Sequence, residues 1–540
     1  MSELPDTLPG LIEASSQRFA DRTAVIDGAR RLSYPELAAL VRRTARALIA
    51  TGIEAGDTVC VWSPNTYHWI VAALGAQAAG ARLVTLNTRF TGAEALDILD
   101  RTNARALFLP DRFLGNDYLA TLRAATGSQA VGNGPLAALA TLELVVRLPL
   151  SGEESGPEPG VISWEQLLAR SAEVDEQSAA ARMADVTGDD VADILFTSGT
   201  TGRPKGAMSS HRQTIAVAAS WAQCAQVTEQ DVYLVTSPFF HSFGYKAGWV
   251  VALLRGATII PQLTFDVDEL LETVERERVT ILPGPPTIFQ SLLAHPRRAR
   301  YDLASLRLAV TGSAMVPVVL IERMRSELTF ETILTGYGLT EAVVVTMCRP
   351  GDDAETISGT SGCATADFEI RVANSEGHAL PSGEDGEIQL RGPNVMLGYL
   401  DDPEATRAAI EPDGWLHTGD IGHLDERGYL TITDRLKDMF TVGGFNVYPA
   451  EVENAIMRLD GVVECAVVGI PEERLGEVGL ACIVAQPDHA LDEQGVIAEC
   501  RERLANFKVP REVAFFQELP HNASGKVLKR ELREQAIAVR

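Results

Sequence analysis

The stretch LFTSGTTGRPKGAMSSH, residues 195–211, decides the fold prediction. Its apolar start predicts a buried strand, and the strand runs into threonine, serine and glycine residues that are closed by Lys205, one of only six lysines in the chain. Small residues let backbone N–H groups approach an anion, hydroxyls add donors and the lysine adds charge. The stretch differs from the Walker pattern because Gly199, Gly202 and Lys205 stand three apart. It predicts a phosphate-binding loop that follows a strand; a flexible surface loop is the alternative.

Apolar strand-like runs alternate with helical patterns on both sides of this stretch. The runs are ARLVTLN (81–87), RALFLP (105–110), DVYLVTSP (231–238), ATIIP (257–261), VTILPGPP (279–286) and LRLAVTG (306–312). This alternation is typical of parallel α/β sheets. After about residue 343, shorter strands between Gly and Asp turns predict a small β subdomain that ends near 433, and a compact α+β module follows. We therefore expect an N-terminal domain at 1–434 and a C-terminal domain at 435–540.

Composition and charge exclude several classes of protein. The 540 residues carry a formal net charge of -26, which repels nucleic acids and anionic membrane faces. Seven cysteines without a CxxC pair indicate reduced thiols in a cytoplasmic protein, and no zinc-ligand spacing is present. The N-terminus lacks a signal-peptide core, and the uncharged run Thr58–Ala81 contains polar residues that favour a buried strand and helix over a membrane span.

Three further segments carry residues suited to nucleotide or acid binding. In TGYGLTEA (335–342), Tyr337 between two glycines can stack on a purine, and the carboxylate of Glu341 suits Mg²⁺; glycine turns with a tyrosine are also common without function. In DGWLHTGD (413–420) and TDRLKD (433–438), Asp420 and Arg435 are candidates for binding sugar hydroxyls, with a polar turn and a solvated charge run as alternatives.

The third segment is SPFFHSFGYKAGW, residues 237–249. His241 lies among aromatic residues there, which favours either the wall of an apolar pocket or a hydrogen-bonded core histidine. Lys246 is interpreted as a structural residue.

Together and in this order, these motifs resemble the adenylate-forming superfamily, which includes acyl-CoA synthetases, adenylation domains of peptide synthetases and beetle luciferases. The resemblance extends over nearly the whole chain through LSYPELAALVRRTARAL (32–48), VTGSAMVP (310–317), GEIQLRGPNVMLGYL (386–400), GGFNVYPAEVE (443–453) and SGKVLKRELR (524–533). It implies a large N-terminal domain with two α/β subdomains and a small β-barrel-like subdomain, followed by a small mobile α+β domain.

The resemblance also implies a role for each matching position. The ATP phosphates would be held by Thr197, Ser198, Gly199, Thr200, Thr201, Gly202, Lys205 and Thr340, the adenine by Gly336, Tyr337 and Gly338, Mg²⁺ by Glu341, and the ribose by Asp420 and Arg435. Lys437, Gly443 and Gly444 would lie on the coenzyme A side, and the acyl pocket would be lined by His241, Phe243, Gly312, Ser313 and Ala314. Asp434 would be the hinge, and Lys526 the catalytic lysine of adenylation, alongside Thr340 and Glu341.

The implied reaction is the ligation of a carboxylic acid to coenzyme A at the expense of ATP. The acid and ATP give an acyl adenylate and pyrophosphate, and coenzyme A then displaces AMP. Mg²⁺ and lysine ammonium groups offset the repulsion between carboxylate and phosphate, and rotation of the C-terminal domain removes Lys526 after the first step. Only 14 residues follow Lys526, so we expect a free ligase without a fused carrier domain.

The acid is indicated by local resemblance alone. WSPNTYHWIV, FFHSFGYKAGW and LPGPPTIFQSLLAHP resemble segments of actinobacterial ligases of steroid breakdown, a branch of lipid metabolism. Those enzymes activate the propanoate side chain of the bicyclic indanedione left from rings C and D. A medium-chain fatty acid and an aryl acid are alternative substrates. The alternative function from a different class is that of a non-catalytic nucleotide-binding protein. The sequence leaves monomer and homodimer open, and it predicts that Lys529 is a solvated surface charge.

Overall fold

The structure is a computed structural model that describes residues 4–126, 139–150, 160–197, 204–312, 316–435, 438–442, 445–447, 449–472, 475–486, 489, 491–504, 506–521 and 527–539. The chain divides into two units. The larger unit comprises Met1–Ser358, Ala364–Phe368 and Gly392–Pro412, and the smaller one Gly359–Cys363, Glu369–Arg391 and Asp413–Arg540. The domain boundary expected at Asp434 falls inside a strand of the smaller unit and stays a prediction.

The described residues form strands throughout the chain. They are β1 (Thr23–Asp27), β2 (Arg30–Ser33), β3 (Thr58–Val61), β4 (Arg82–Thr85), β5 (Ala104–Pro110), β6 (Arg112–Phe113), β7 (Asn116–Asp117), β8 (Leu144–Leu148), β9 (Val161–Ser163), β10 (Val191–Thr197), β11 (Lys205–Ser210), β12 (Val232–Val235), β13 (Thr258–Pro261), β14 (Ile281–Pro283), β15 (Leu308–Thr311), β16 (Thr332–Tyr337), β17 (Thr346–Met347), β18 (Cys363–Ala364), β19 (Glu369–Ala373), β20 (Gly386–Arg391), β21 (Gly398–Tyr399), β22 (Leu416–Leu424), β23 (Leu430–Arg435), β24 (Phe440–Val442), β25 (Phe445–Val447), β26 (Val462–Glu472), β27 (Gly476–Ala485) and β28 (Glu512–Phe516).

Helices alternate with these strands. They are α1 (Leu8–Arg18), α2 (Tyr34–Ala50), α3 (Tyr67–Ala78), α4 (Gly92–Arg101), α5 (Tyr118–Ala125), α6 (Trp164–Ala169), α7 (Glu176–Ala184), α8 (His211–Cys224), α9 (Ser242–Gly244), α10 (Val250–Arg255), α11 (Val267–Glu277), α12 (Pro286–Ala294), α13 (Val318–Glu327), α14 (Ala354–Gly359), α15 (Pro403–Ala409), α16 (Pro449–Ile456), α17 (Glu493–Arg503) and α18 (Lys529–Val539), with 3₁₀ turns at Arg170–Glu173 and Arg298–Arg300 and a π-helical turn at Tyr245–Trp249.

Two mixed sheets organise the larger unit. The first runs in the order β17-β16-β15-β14-β12-β13-β1-β2, and its inner pairs from β16 to β1 are parallel. The second runs β21-β11-β10-β4-β3-β5-β8-β9, parallel from β10 to β9 and antiparallel at β10-β11-β21. Parallel strands need crossover connections, and helices supply them here. The prediction of an α/β fold is confirmed.

The smaller unit contains two antiparallel-rich sheets. One has the order β19-β20-β22-β23 and corresponds to the predicted small β subdomain. The other runs β25-β24-β27-β26, with β28 added parallel to β27, and α16 and α17 pack with it around a core that includes Val452, Val467, Ile483 and Val496. This second sheet with its helices is the predicted α+β module.

The long uncharged run forms a strand and a helix, as predicted. It splits into β3 and α3, and α3 begins at Tyr67 because the hydroxyl of Thr66 caps the helix by accepting a hydrogen bond from the backbone N–H of Trp69. Among the described residues, no helix combines the length and apolar character that crossing a membrane requires.

Candidate active site

The predicted phosphate-binding loop is closed by a pair of strand residues. Strands β10 and β11 are antiparallel neighbours, and their register places Thr197 opposite Lys205. The hydroxyl of Thr197 donates a hydrogen bond to the carbonyl of Lys205, with 3.4 Å between the oxygens. Ser198, Gly199, Thr200, Thr201 and Gly202 lie outside the described residues. The two described ends of the predicted loop therefore lie side by side, where β10 ends and β11 begins.

Tyr399 connects this loop to the residue predicted to bind Mg²⁺. The ammonium of Lys205 lies 5.0 Å from the centroid of the Tyr399 ring, a cation–π distance. The Tyr399 hydroxyl donates a hydrogen bond of 2.8 Å to Oε1 of Glu341. Strand β21, which carries Tyr399, pairs with β11 through Ala207. Three sequence segments that are far apart in the chain thus meet at one side chain.

Sequence reasoning missed Tyr399 as a functional residue. The segment that contains it, GEIQLRGPNVMLGYL, resembles the family without indicating a role for Tyr399, and an aromatic residue in a short strand does not by itself indicate chemistry. Burial and the neighbouring Glu341 carboxylate raise the pKa of Tyr399 above its ordinary value. The hydroxyl therefore stays protonated and can act as a donor to Glu341 at physiological pH.

The carboxylate of Glu341 fits a magnesium ion that also binds phosphate. Mg²⁺ prefers oxygen ligands and is usually held by one or two carboxylates together with substrate phosphates. The described part of the chain contains no cluster of three or more His, Cys, Asp or Glu side chains arranged to hold a metal. A single carboxylate that shares the ion with ATP is compatible with this donor set.

The turn after β16 requires its glycines. A Cβ atom on Gly338 would lie 1.5 Å from the carbonyl oxygen of Val343, so no other residue fits. Val343 itself has φ of +62°, an uncommon backbone conformation for a β-branched residue. The backbone N–H of Val345 donates to the carbonyl of Tyr337 at 2.9 Å. The turn is therefore tightly closed, and it leaves Tyr337 and Thr340 only half-buried.

Gly312 lies beside this turn. It follows β15, the parallel neighbour of β16, and a Cβ atom on it would approach the carbonyl of Gly336 to 3.4 Å. Ser313 and Ala314, the other predicted pocket residues of that loop, are outside the described residues. The carboxyl ends of parallel strands are the usual location of ligand sites in α/β sheets.

Asn65 holds the segment that carries His241. Its side-chain amide donates to the carbonyl of Ser237 at 2.9 Å and accepts from the backbone N–H of Phe239 at 2.7 Å. Gly244 is needed in the same segment because a Cβ atom there would lie 2.2 Å from the carbonyl oxygen of Pro238. Sequence reasoning did not identify Asn65, which stands 170 residues or more before its partners.

His241 is not a core residue. Its side chain is exposed, and Nδ1 accepts a hydrogen bond from the backbone N–H of Phe243 at 3.2 Å. Desolvation by the surrounding protein nevertheless lowers its pKa. A side chain that is accessible yet surrounded by protein is typical of a cavity wall, so the alternative of a buried core histidine is wrong.

Lys246 forms a buried ion pair within the same segment, residues 237–249. Its ammonium lies 2.8 Å from Oδ1 of Asp193, and the two side chains are 1% and 0% exposed. The hydroxyl of Thr214 donates to Oδ2 of Asp193 at 3.1 Å. Asp193 lies on β10, the strand that ends at Thr197, and Lys246 lies in the π-helical turn. The ion pair therefore connects this strand with the segment that contains His241.

In the smaller unit, Asp420 lies on β22 and is only 4% exposed. The strand register places Asp420 opposite Arg435 and Ile421 opposite Asp434, so the two predicted ribose ligands are paired along neighbouring strands. Lys437, Gly443 and Gly444, the predicted residues on the coenzyme A side, are outside the described residues.

The described residues on either side of Lys526 pair with each other. Residues 522–526 are outside the described residues, but His521 and Val527 form an antiparallel bridge on either side of them. The ammonium of Lys529 lies 2.8 Å from Oε1 of Glu453, and the two side chains are 21% and 17% exposed. The prediction that Lys529 is a solvated surface charge is therefore wrong: it is half-buried because it pairs with a carboxylate of α16.

Two bacterial relatives match the whole chain. The 7a-methyl-1,5-dioxo-octahydro-1H-inden-4-yl propanoyl:CoA ligase of Rhodococcus jostii strain RHA1 is 54% identical over 99% of this chain and 100% of its own length. The ligase of the same name from Mycobacterium tuberculosis strain H37Rv is 53% identical over 98% of each chain.

The fold matches a solved ligase structure. The anthranilate CoA ligase AuaEII in complex with anthranoyl-AMP superposes with a TM-score of 0.86 at 27% identity, over 100% of this chain and 99% of that one. The predicted fold class and the predicted class of enzyme, an acid-thiol ligase of the AMP-forming type, are confirmed by these similarities.

Family models account for most of the sequence. The model described as AMP-binding enzyme matches residues 12–400, and the model described as AMP-binding enzyme C-terminal domain matches residues 451–526. The first covers more than half of the chain and includes the Lys205, Tyr399 and Glu341 contacts. The chain therefore belongs to the AMP-binding enzyme family.

Proposed function

We propose that this chain is an ATP-dependent acyl-CoA ligase that activates a steroid-derived bicyclic propanoate. The carboxylate attacks the α-phosphate of ATP to give an acyl adenylate and pyrophosphate, and the thiol of coenzyme A then displaces AMP to give the acyl-CoA. The observation that carries the ATP-dependent chemistry is the contact of Tyr399 with both Lys205 and Glu341. It joins a cation suited to phosphate with a carboxylate suited to Mg²⁺ at one side chain.

The proposed role of each phosphate-site residue follows from its charge or its hydroxyl group. Thr197 and Lys205 bind phosphate oxygens with a hydroxyl and an ammonium, and Thr340 adds a second hydroxyl. Glu341 would hold Mg²⁺ together with ATP, and the bound ion would offset the repulsion between the two anions. Lys526 adds an ammonium that stabilises the negative charge which develops at the α-phosphate during adenylation.

The nucleoside is held by other residues. Tyr337, between Gly336 and Gly338, stacks on the adenine, and Asp420 with Arg435 binds the ribose hydroxyls. Asp434 is the hinge about which the C-terminal domain rotates between the two steps. Lys437, Gly443 and Gly444 line the entry of coenzyme A in the second step.

The assignment of the acid follows from the relatives and from pocket chemistry. Two ligases that are more than 50% identical over nearly the full length are named for a bicyclic dione with a propanoyl group. The proposed wall residues His241, Phe243 and Gly312 carry no fixed charge near neutral pH, which suits a neutral, mostly apolar ring system. Ser313 and Ala314 complete this wall in the proposal.

A substrate screen tests the acid. The purified chain would be assayed for pyrophosphate release with ATP, Mg²⁺ and coenzyme A, using the bicyclic propanoate, octanoate and ferulate as acids. We expect kcat/KM for the bicyclic acid to exceed the other two values at least tenfold. A higher value for octanoate or ferulate would replace the proposed substrate with a medium-chain or an aryl acid.

A partition experiment tests Lys526. Lys526→Ala should lose adenylation far more than it loses thioester formation from added acyl adenylate, because its ammonium acts only in the first step. Lys529→Ala is the matched control in the neighbouring helix. Equal loss of both half-reactions in Lys526→Ala would contradict the assigned role.

Location and assembly complete the proposal. We propose a cytoplasmic enzyme, supported by seven cysteines that are not in disulfide bonds, four of them buried and three half-buried, since reduced thiols are typical of that compartment. A homodimer is the proposed alternative to a monomer of 58.1 kDa, and light scattering of the purified chain would separate the two masses.

A further inference from the structure

The strand that carries Asp420 contains a large bulge that ends at this residue. Strand β22 pairs with β20 through Gln389 and His417, and again through Glu387 and Ile421. Between these pairs, β20 has one residue and β22 has three, residues 418–420. Gly419 adopts φ of +67°, the left-handed conformation that glycine tolerates best. Bulges of this kind re-aim side chains and often lie next to active sites.

The carboxylate of Glu387 binds both sides of this bulge. Its Oε1 accepts a hydrogen bond from the backbone N–H of Gly419 at 3.2 Å. Its Oε2 lies 2.8 Å from Nδ1 of His417, which must be the donor because a carboxylate only accepts. One side chain therefore holds the residue before Thr418 and the residue after it.

A hydroxyl fastens the middle of the bulge. Thr418 donates from Oγ1 to the carbonyl of Ile388 at 2.7 Å and accepts at the same oxygen from the backbone N–H of Asp420 at 3.0 Å. The backbone of Asp420 is thus hydrogen-bonded to Thr418, and Thr418 is hydrogen-bonded to β20, the strand that carries Glu387. The position of Asp420 depends on these contacts.

Glu387 is itself held in place from the buried side. The amide of Gln389, which is 1% exposed, donates to Oε2 of Glu387 at 3.2 Å. The guanidinium of Arg371 donates to Oε1 of Gln389 at 2.6 Å. The side chain of Glu387 is 20% exposed. If its carboxylate is removed, water therefore has limited access to the donors that the carboxylate had bound.

We propose that Glu387, together with His417, is a positioning residue that sets the orientation of Asp420 and thereby the enzyme's recognition of the ribose of ATP. The proposal rests on the proposed function of Asp420 as a ribose ligand. Without the Glu387 carboxylate, the N–H of Gly419 and the imidazole of His417 lose their acceptor, and the bulge relaxes. A displacement of about 1 Å at a binding group can cost about a hundredfold in rate.

The test compares ATP with 2′-deoxy-ATP and 3′-deoxy-ATP as substrates of the full chain. The measured quantity is the ratio of kcat/KM for ATP to that for each analogue. We expect Glu387→Ala to lower this ratio at least tenfold while KM for the acid stays within twofold of wild type. Glu387→Gln, which keeps one acceptor oxygen, should give an intermediate ratio, and it takes the place of the alanine variant should that variant not fold.

Glu369→Ala is the matched control. Glu369 lies on β19 of the same sheet and pairs with Arg391 through contacts of 2.9 and 2.7 Å, away from the bulge. Its removal should leave the ratio unchanged. Asp420→Ala provides the reference for complete loss of ribose recognition.

Three results would overturn the proposal, and each of them contradicts a different part of it. A wild-type ratio in Glu387→Ala and Glu387→Gln, beside a collapsed ratio in Asp420→Ala, overturns the positioning role alone. A wild-type ratio in Asp420→Ala overturns the ribose role on which the proposal rests. An equal fall of the ratio in Glu369→Ala would likewise reduce Glu387 to a general structural residue.

Discussion

The hydroxyl of Tyr399 donates a hydrogen bond of 2.8 Å to the carboxylate of Glu341, 58 positions earlier in the chain. The same ring faces the ammonium of Lys205 at 5.0 Å. One tyrosine thus contacts the ammonium through its ring and the carboxylate through its hydroxyl. The proposed function assigns these two charges to a phosphate and its metal ion.

Tyr399→Phe should impair the use of Mg²⁺ more than the fold. Loss of the hydroxyl removes the group that orients Glu341, and such outer contacts of metal ligands typically contribute about 10–100-fold to metal affinity or activity. We expect the Mg²⁺ concentration for half-maximal adenylation to rise by that factor. Tyr118→Phe, which removes a hydroxyl bonded to the carbonyl of Thr88 at 2.9 Å, is the control. Unchanged Mg²⁺ dependence in Tyr399→Phe would refute the orienting role.

The buried Lys246 and Asp193 pair should show strong coupling in a double-mutant cycle. Burial lowers the pKa of Lys246 and the charge of Asp193 opposes this shift, so each charge depends on the other. Removing one partner of such a pair costs about 3–5 kcal/mol, since a buried charge is left alone. We expect Lys246→Met and Asp193→Asn each to lower the free energy of unfolding by that amount, and the double variant to lose less than their sum. Additive losses would show that the pair is not coupled.

His68 should make stability depend on pH below neutrality. Desolvation, followed by the charge of Arg30, lowers the pKa of His68 from 6.5 to about 4. Because its pKa in the folded state is depressed, its contribution is complete above pH 6.5 and is lost as the pH falls towards 4. The full loss is about 3 kcal/mol at roughly 1.4 kcal/mol per pKa unit. The thermal unfolding midpoint of His68→Phe should fall less between pH 7 and pH 5 than that of wild type, and an equal fall would contradict the shift.

Gly338→Ala should weaken nucleotide binding. The added methyl group would overlap the carbonyl of Val343, whose oxygen lies 1.5 Å from the Cβ position, so the turn after Tyr337 must open. Gly359→Ala is the control because nothing lies within 4 Å of its Cβ position. We expect ATP affinity, measured by calorimetry, to fall at least tenfold in the first variant and to stay unchanged in the second. Equal affinities would show that the turn does not bind ATP.

The sequence predicted the fold well where short-range patterns decide it. The apolar runs at 81–87, 105–110 and 306–312 each contain a parallel strand, at β4, β5 and β15. These strands are marked by local hydrophobic runs and flanking helical patterns, and both can be recognised from the sequence alone. Helix α3 begins within the polar stretch of the uncharged run, because the side chain of Thr66 caps it.

The contacts between the residues of the candidate site could not be predicted from the sequence. Nothing near Tyr399 in sequence indicates Glu341 or Lys205 as partners, because the strand pairing of β21 with β11 brings them together. Lys529 was interpreted as a surface charge because its partner Glu453 stands 76 positions away, on another helix. Asn65 was missed for the same reason. Residue types in motifs could be assigned from pattern, whereas the residues that orient them required the tertiary structure.

The decisive measurement is a product analysis with the purified full chain, the bicyclic propanoate, ATP, Mg²⁺ and coenzyme A. We predict that AMP, pyrophosphate and acyl-CoA form in equal amounts, and that no nucleotide is consumed when the acid is left out. With coenzyme A omitted, pyrophosphate and enzyme-bound acyl adenylate should still appear. Formation of ADP and phosphate, or nucleotide turnover independent of the acid, would contradict the adenylate mechanism.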